Sequence, residues 1–248
     1  MASRAESAPV ARWPAVRPAI RAALGDFYVN SLRLVAANLL WGATLIGVWL
    51  AFLITPLGVL LLPLLAFPTA SIFRIAVLVV RGGTVSWWDG LRVWRTDAGP
   101  IFLLGIVLVG CLSVFVVNIA SGVLSAGVIG WGVATAASWG SVVTWLVSWT
   151  AWPILLDPAR ANRPVRQRLR TAVLLVLAYP LRIGVLGAVL AVVLLASTVA
   201  LIALMTISVA FAALVATRYV LPAADRLEER IAAGALATGR AAALRRGS

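Results

Sequence analysis

The sequence predicts an all-α fold: a polytopic transmembrane helical bundle of about six spans, with interfacial amphipathic helices. Three observations predict it. The 248 residues are 62% hydrophobic with a mean hydropathy of +1.04, whereas soluble domains run at about 45–50% apolar. Apolar runs long enough to span hydrocarbon, about 20 residues at 1.5 Å each, recur along the chain. Charge is partitioned between the connections. Thr55 to Gly58, Ser121 to Gly127 and Met205 to Ser208 carry no Arg, Asp or Glu, while the 21 basic residues, all Arg, gather elsewhere. That asymmetry is the positive-inside pattern, and it places both termini in the cytoplasm of a multi-pass protein of the bacterial inner membrane.

The elements follow in order. Residues 1–33 form a cytosolic N-terminal arm and short helix. Arg4, Arg12, Arg17 and Arg21 alternate there with Pro9, Pro14 and Pro18, and the helix starts near Ala19. No apolar h-region precedes Leu32, so no cleavable signal peptide is expected. Residues 34–222 form the membrane domain and 223–248 a cytosolic C-terminal tail. The first span runs from about Leu34 to Ile54. Thr55-Pro56-Leu57-Gly58 turns the chain, since Pro and Gly suit a reversal. The second span, about Val59 to Val80, contains Pro63 and Pro68 and is expected to break near Phe67 to Thr69.

Val85 to Arg95 reads as an interfacial helix: Trp87, Trp88, Leu91 and Trp94 stand with Arg92 and Arg95 at helical spacing. The third span is about Ile101 to Ile119 and the fourth about Val128 to Trp152. Trp145, Trp149 and Trp152 form an aromatic belt toward its inward end. Val165 to Tyr179 reads as a surface helix stopped by Pro180. Ile183 to Pro222 is too long for one crossing, roughly 60 Å as a single helix, so two spans turning near Met205-Thr206 are expected. Ser31-Leu32-Arg33-Leu34 and Pro180-Leu181-Arg182-Ile183 each open an apolar hairpin, an echo consistent with a duplicated two-helix unit around the middle pair.

The inventory also bounds function. There is no His, and the single cysteine, Cys111, lies in an apolar run. No metal or other cofactor is implied, and no paired carboxylates, nucleophile motif or phosphate loop point to an enzyme. Net charge is +13. It is spread over four inward clusters around a membrane surface, which favours anionic headgroups as partners over nucleic acid.

Two constellations stand out. Arg74 lies about 9 Å inside its span, where an unpaired guanidinium is costly. It either snorkels to lipid phosphate or pairs with an anion, Asp157 being the best candidate in the chain. Thr135, Ser138, Ser141, Thr144 and Ser148 mark one drifting face of the fourth span. They serve either as a helix-packing face or, with Trp139 as a stacking surface, as a polar solute path. Asn38 and Asn118 are expected to make interhelical bonds or sit at an interface.

The first 120 residues resemble the YesL-like family of bacterial membrane proteins. The elements that carry the resemblance are Gly25-Asp26-Phe27, Asn38-Leu39-Leu40-Trp41, Thr55-Pro56-Leu57-Gly58, Pro68-Thr69-Ala70-Ser71 and Gly83…Trp88…Gly90…Trp94. The second half matches only through Pro180-Leu181, and Trp88-Asp89-Gly90 stands where relatives carry a Phe-rich stretch. The family is of unknown molecular function, and its genes often lie beside those of carbohydrate ABC transporters and sugar hydrolases. The resemblance therefore implies an accessory role in carbohydrate uptake or its regulation, with ABC transporter components as partners, and no catalytic residues. A small solute permease or channel subunit and an anionic-lipid-interacting protein are the alternatives.

Overall fold

The computed structural model describes residues 15–125 and 127–246. The N-terminal arm through Pro14 and the last two residues lie outside the described residues. Among the described residues there are helices and no strands. Five helical stretches are long and apolar enough to cross a membrane: Ser31–Ile54, Pro56–Val80, Ala98–Leu124, Pro180–Val199 and Leu204–Gly234. The protein is an all-α polytopic bundle.

Helix α1 (Val16–Val29) ends at Asn30, and α2 (Ser31–Ile54) follows at once. Thr55 is extended, and its hydroxyl accepts from the Leu57 N–H at 3.4 Å. Pro56 then opens a 3₁₀ stretch, Pro56–Leu65, that passes into α3 (Ala66–Val80). Pro63 cannot donate to an α ladder, which favours the tighter helix here. The geometry changes at Ala66, slightly before the expected break at Phe67 to Thr69. Pro68 sits in the first turn of α3, where a helix needs no backbone donor.

Helix α4 (Trp87–Thr96) starts on a capping box: Ser86 Oγ accepts from the Trp88 N–H, and Asp89 accepts from the Ser86 N–H at 2.8 Å. Helices α5 (Ala98–Leu124) and α6 (Val128–Leu155) form an antiparallel hairpin. At its tip the backbones of Gly122 and Gly130 touch, leaving no room for a Cβ on either. The expected fourth span corresponds to α6, which has 28 residues and no charge. Its Trp, Ser, Thr and Gly content leaves it outside the five most apolar stretches. It is nonetheless paired along α5.

Helix α7 (Val165–Ala178) is followed after Tyr179 by α8 (Pro180–Val199). The chain turns at Ala200, earlier than the expected Met205-Thr206. A one-turn α9 (Leu201–Ala203), a π turn (Leu204–Ser208) and α10 (Val209–Arg246) complete the fold. Met205 to Ser208 is therefore part of the descending helix, not a connection. Helix α10 carries straight through Pro222, so the expected division between membrane domain and tail at 222/223 is not a structural break.

The helices fall into three consecutive units: α1–α2–α3, α4–α5–α6 and α7–α8–α10. Each is a short helix, a single break residue (Asn30, Asp97 or Tyr179), an outer long helix and an inner long helix. The inner helices α3, α6 and α10 pack on one another. The inner spans 56–80 and 204–234 are 56% and 67% buried, against 17–22% for the outer ones. Each short helix sits on the inner helix of the preceding unit, and the series closes on itself: α4 on α3, α7 on α6, α1 on α10. The hairpin echo seen in the sequence belongs to this pattern. Val16 matches Val165, Arg17 matches Arg166, Arg21 matches Arg170, and Leu32-Arg33 matches Leu181-Arg182, in one unbroken register. The pattern takes in the middle pair as well, which the two-fold reading left out.

Candidate functional site

The charged ends of α3 and α6 meet the middle of α10 in one ion-pair hub. Arg81 immediately follows α3, and Gly82 at φ +74° then turns the chain away. The Arg81 guanidinium grips two carboxylates. Nη2 lies 2.6 Å from Asp157 Oδ2, and Nη1 lies 2.9 Å from Asp225 Oδ2. Asp157 follows the end of α6, and Asp225 lies on α10. Arg160, in the 3₁₀ turn Pro158–Arg160, reinforces the hub from inside. It bonds Asp157, Asp225 (2.5 Å) and Glu228 (3.0 Å), and Arg163 adds a 2.7 Å contact to Glu228.

Three guanidinium groups thus face three carboxylates. The Asp157 and Arg160 side chains are 0% and 2% exposed. Burying such charges is expensive unless every charge has partners. Here the Asp157 carboxylate also accepts from the Ala159 N–H at 3.1 Å. Hydrogen bonds donated to Asp225 and then to Asp157 hold the Arg81 pKa above its ordinary value. Burial pulls the Arg160 pKa down, but Glu228, with Asp225 and Asp157, outweighs it and leaves it raised. Both guanidinium groups therefore stay charged throughout the physiological range.

The proposed Arg74–Asp157 pair does not form. Arg74 Nη1 donates to the Leu156 carbonyl at 2.8 Å, one residue short of Asp157, whose carboxylate is taken by Arg81 and Arg160. Arg168 likewise donates to the Leu155 carbonyl at 2.5 Å. A helix end leaves its last carbonyls unpaired and partly negative. Two arginines from α3 and α7 cap the end of α6 in this way. The sequence did hold a signal for the real hub. Asp157 and Arg160, and Asp225 and Glu228, stand one helical turn apart, and Arg81 lies two turns beyond Arg74 on the same face.

An aromatic cluster and a chamber lie next to the hub, farther along the inner helices. Phe73 stacks on Trp152 at 6.3 Å and tilts against Trp149 at 5.7 Å, and Trp145 meets Trp149 edge-on at 5.2 Å. Trp149 and Trp152 are buried against α3, so these tryptophans form an internal cluster, not a lipid-facing belt. The chamber, about 300 Å³, is bounded by Trp41, Leu65, Thr69, Phe73, Gly105 and Ser148 together with these rings. Two of its indoles are satisfied: Trp41 donates to Thr69 Oγ1 at 3.1 Å and Trp145 to the Gly187 carbonyl at 3.2 Å. Trp149 Nε1–H is buried with no acceptor, an omission that costs about 1–3 kcal/mol.

The hydroxyl face of α6 does not line a path. Thr135, Ser138 and Ser141 donate to their own backbone at Trp131, Ala134 and Ala137. Thr135 and Ser138 point out of the bundle, as does Trp139 at 68% exposure. Thr144 is half-buried, and only Ser148 reaches the chamber. Asn118 also bonds its own helix, at Val114.

Helix α4 is half docked and half free. Gly90 sits against Ile75 and the Ser71 carbonyl. Trp94 turns inward, donating to Ser71 Oγ at 2.7 Å and to the Phe67 carbonyl at 2.9 Å. Trp87 and Leu91 are half-buried. Trp88, Arg92 and Arg95 project, with Thr96 at the helix end.

No protein-family model matches this chain, and no curated protein or solved structure matches it either.

Proposed function

We propose that the chain is a non-enzymatic accessory protein of the bacterial inner membrane, with its charged end and both termini in the cytoplasm, acting by docking a partner there. The observation that carries this reading is the hub. It ties the ends of α3 and α6 to the middle of α10, and α4, seated on α3, projects Trp88, Arg92 and Arg95 beside it. An aromatic flanked by arginines on a fixed helix has the composition of an interface anchor. The motif resemblance favours a carbohydrate-uptake system, and hence ABC transporter components, as the class of partner.

The test is a photocrosslinking residue placed at Trp88 in native membranes. A single protein adduct that disappears in the Arg92→Glu/Arg95→Glu variant supports docking, provided the variant stays folded. Adducts to lipid alone would overturn it.

A second reading, contact with anionic lipid headgroups, is favoured by one specific pattern. Arg17, Arg21, Leu24 and Tyr28 form an exposed stripe on α1, and Arg166, Arg170, Val173 and Leu177 form the same stripe on α7. Basic residues followed by apolar ones suit a helix dipping from headgroups into acyl chains. The permease reading has less support, because Thr135, Ser138 and Ser141 are spent on their own backbone and Ser148 is the one member of that face that lines the chamber.

A further inference from the structure

We propose that the aromatic chamber is a binding site for a planar, carbonyl-bearing ring carried on a long apolar tail, the chemistry of a prenylated quinone. Four observations converge on this class. The chamber, about 300 Å³, is at the lower end of ligand pockets, enough for one substituted ring. Its walls are rings themselves: Trp41, Phe73, Trp145, Trp149 and Trp152 offer flat faces for stacking. The indole N–H of Trp149, 7% exposed overall, has no acceptor in the protein, and a ring carbonyl held in the chamber that Trp149 lines would supply one. Finally, the chamber shares Leu62 with a second cavity of about 200 Å³ between α2 and the 3₁₀ stretch, lined by Leu45, Val48, Trp49, Phe52 and Val59.

That second cavity decides between ligand shapes. Its lining is wholly apolar, and Trp49 and Phe52 on its rim are half or more exposed on the outer surface of the membrane-spanning bundle. A tail lying there runs from the chamber to the bilayer. A compact polar solute would leave this groove empty and would meet few partners in the chamber. A simple acyl chain would fill the groove but leave the Trp149 donor unanswered. A ring with a tail satisfies both. Binding is all that is proposed; no electron transfer is assigned. The site is separate from the docking face, so the two ideas fail independently.

The experiment is titration of the purified full chain in lipid nanodiscs with a decyl-substituted benzoquinone, read by quenching of tryptophan emission. Saturable one-to-one quenching is expected, weakened tenfold or more in Trp149→Phe, which keeps the ring and deletes the N–H. A Val109→Phe change that fills the chamber is expected to abolish it. The tail-less ring should bind at least tenfold more weakly than the decyl form. Thermal melts of each variant without ligand report folding separately, and solvent extraction of chain purified from native membranes supplies a second readout. Linear, unsaturable quenching would overturn the proposal, as would equal binding to Trp149→Phe. So would an extract of the folded wild-type chain that holds no such molecule at substoichiometric or higher level.

Discussion

Asn38 of α2 donates its side-chain amide to the carbonyl of Leu204 at 2.8 Å. The same side chain accepts from the Ala210 N–H at 2.7 Å. The π turn between Leu204 and Ser208 disturbs the ordinary ladder of backbone bonds, and a fully buried asparagine from another helix completes it. One turn farther along α2, Gly42 leaves room for Met205, which would lie 2.7 Å from an added Cβ. Asn38→Ala is expected to orphan two buried backbone groups and destabilise the protein by about 1–3 kcal/mol. Unfolding in detergent followed by circular dichroism measures this. A loss within error would mean that the π turn does not need its partner.

The hub should behave as one energetic unit. Arg160→Met leaves the buried Asp157 carboxylate with one guanidinium, Arg81, instead of two, and breaking a buried pair costs about 3–5 kcal/mol. Adding Asp157→Asn to Arg160→Met should recover part of that loss, because the under-compensated charge is gone. Arg74→Met should add nearly independently to either, since its bond goes to the Leu156 carbonyl. A double-mutant cycle on detergent-solubilised protein decides it. Strong coupling of Arg74 to Asp157 would contradict the geometry.

The turn at Ala200, outward in the proposed topology, can be located by labelling. A cysteine at Val199, 91% exposed beside the break at Ala200, is expected to react with an impermeant maleimide from outside the cell. A cysteine at Thr206, inside the π turn, should react far more slowly, and one at Asn162 only after the membrane is opened. Equal fast labelling at Val199 and Thr206 would argue for a turn centred later in the chain.

The seat of α4 depends on one glycine. A Cβ on Gly90 would come within 3.1 Å of Ile75 Cδ1 and 3.3 Å of the Ser71 carbonyl. Gly90→Leu is therefore expected to lift α4 off α3 at a cost of about 1–3 kcal/mol, releasing Trp94. Hydrogen exchange should show protection lost across Trp87–Thr96, while α5 and α6 stay protected. Unchanged protection in α4 would show that the contact is slack.

Much of this fold was legible in the sequence because lipid imposes simple demands. Apolar length marked the spans, and clustered arginine marked one end. Pro and Gly marked the turn at Thr55 to Gly58, and Trp/Arg spacing marked α4. Ala200 was missed because an alanine between apolar runs carries no turn chemistry. Which helices are inner and which outer was hidden for a related reason: in a membrane both faces are apolar, so hydropathy does not distinguish lipid from protein. The hub was missed for Arg74 because depth in the span was weighed above the company of acids. Asp157, Asp225 and Glu228 are three of only eight carboxylates in the chain, and their scarcity was the better guide.

The closure of α1 onto α10 has a consequence for biogenesis. The carboxylate of Asp26 holds Arg218 at 2.6 Å across 192 residues of chain, and Phe27 meets Phe211 beside it. Helix α1 is synthesised well before α10, the helix on which it docks. At about 5–20 residues per second of synthesis, it waits on the order of ten seconds or more for its seat. Until then Ala19, Ala23 and Phe27 have no surface of this chain to bury against, and the membrane interface is the natural resting place for so amphipathic a segment. Insertion of α10 is thus the step that locks the ring, and chains cut short before Arg218 leave both the α1 seat and the charged hub unfinished at once.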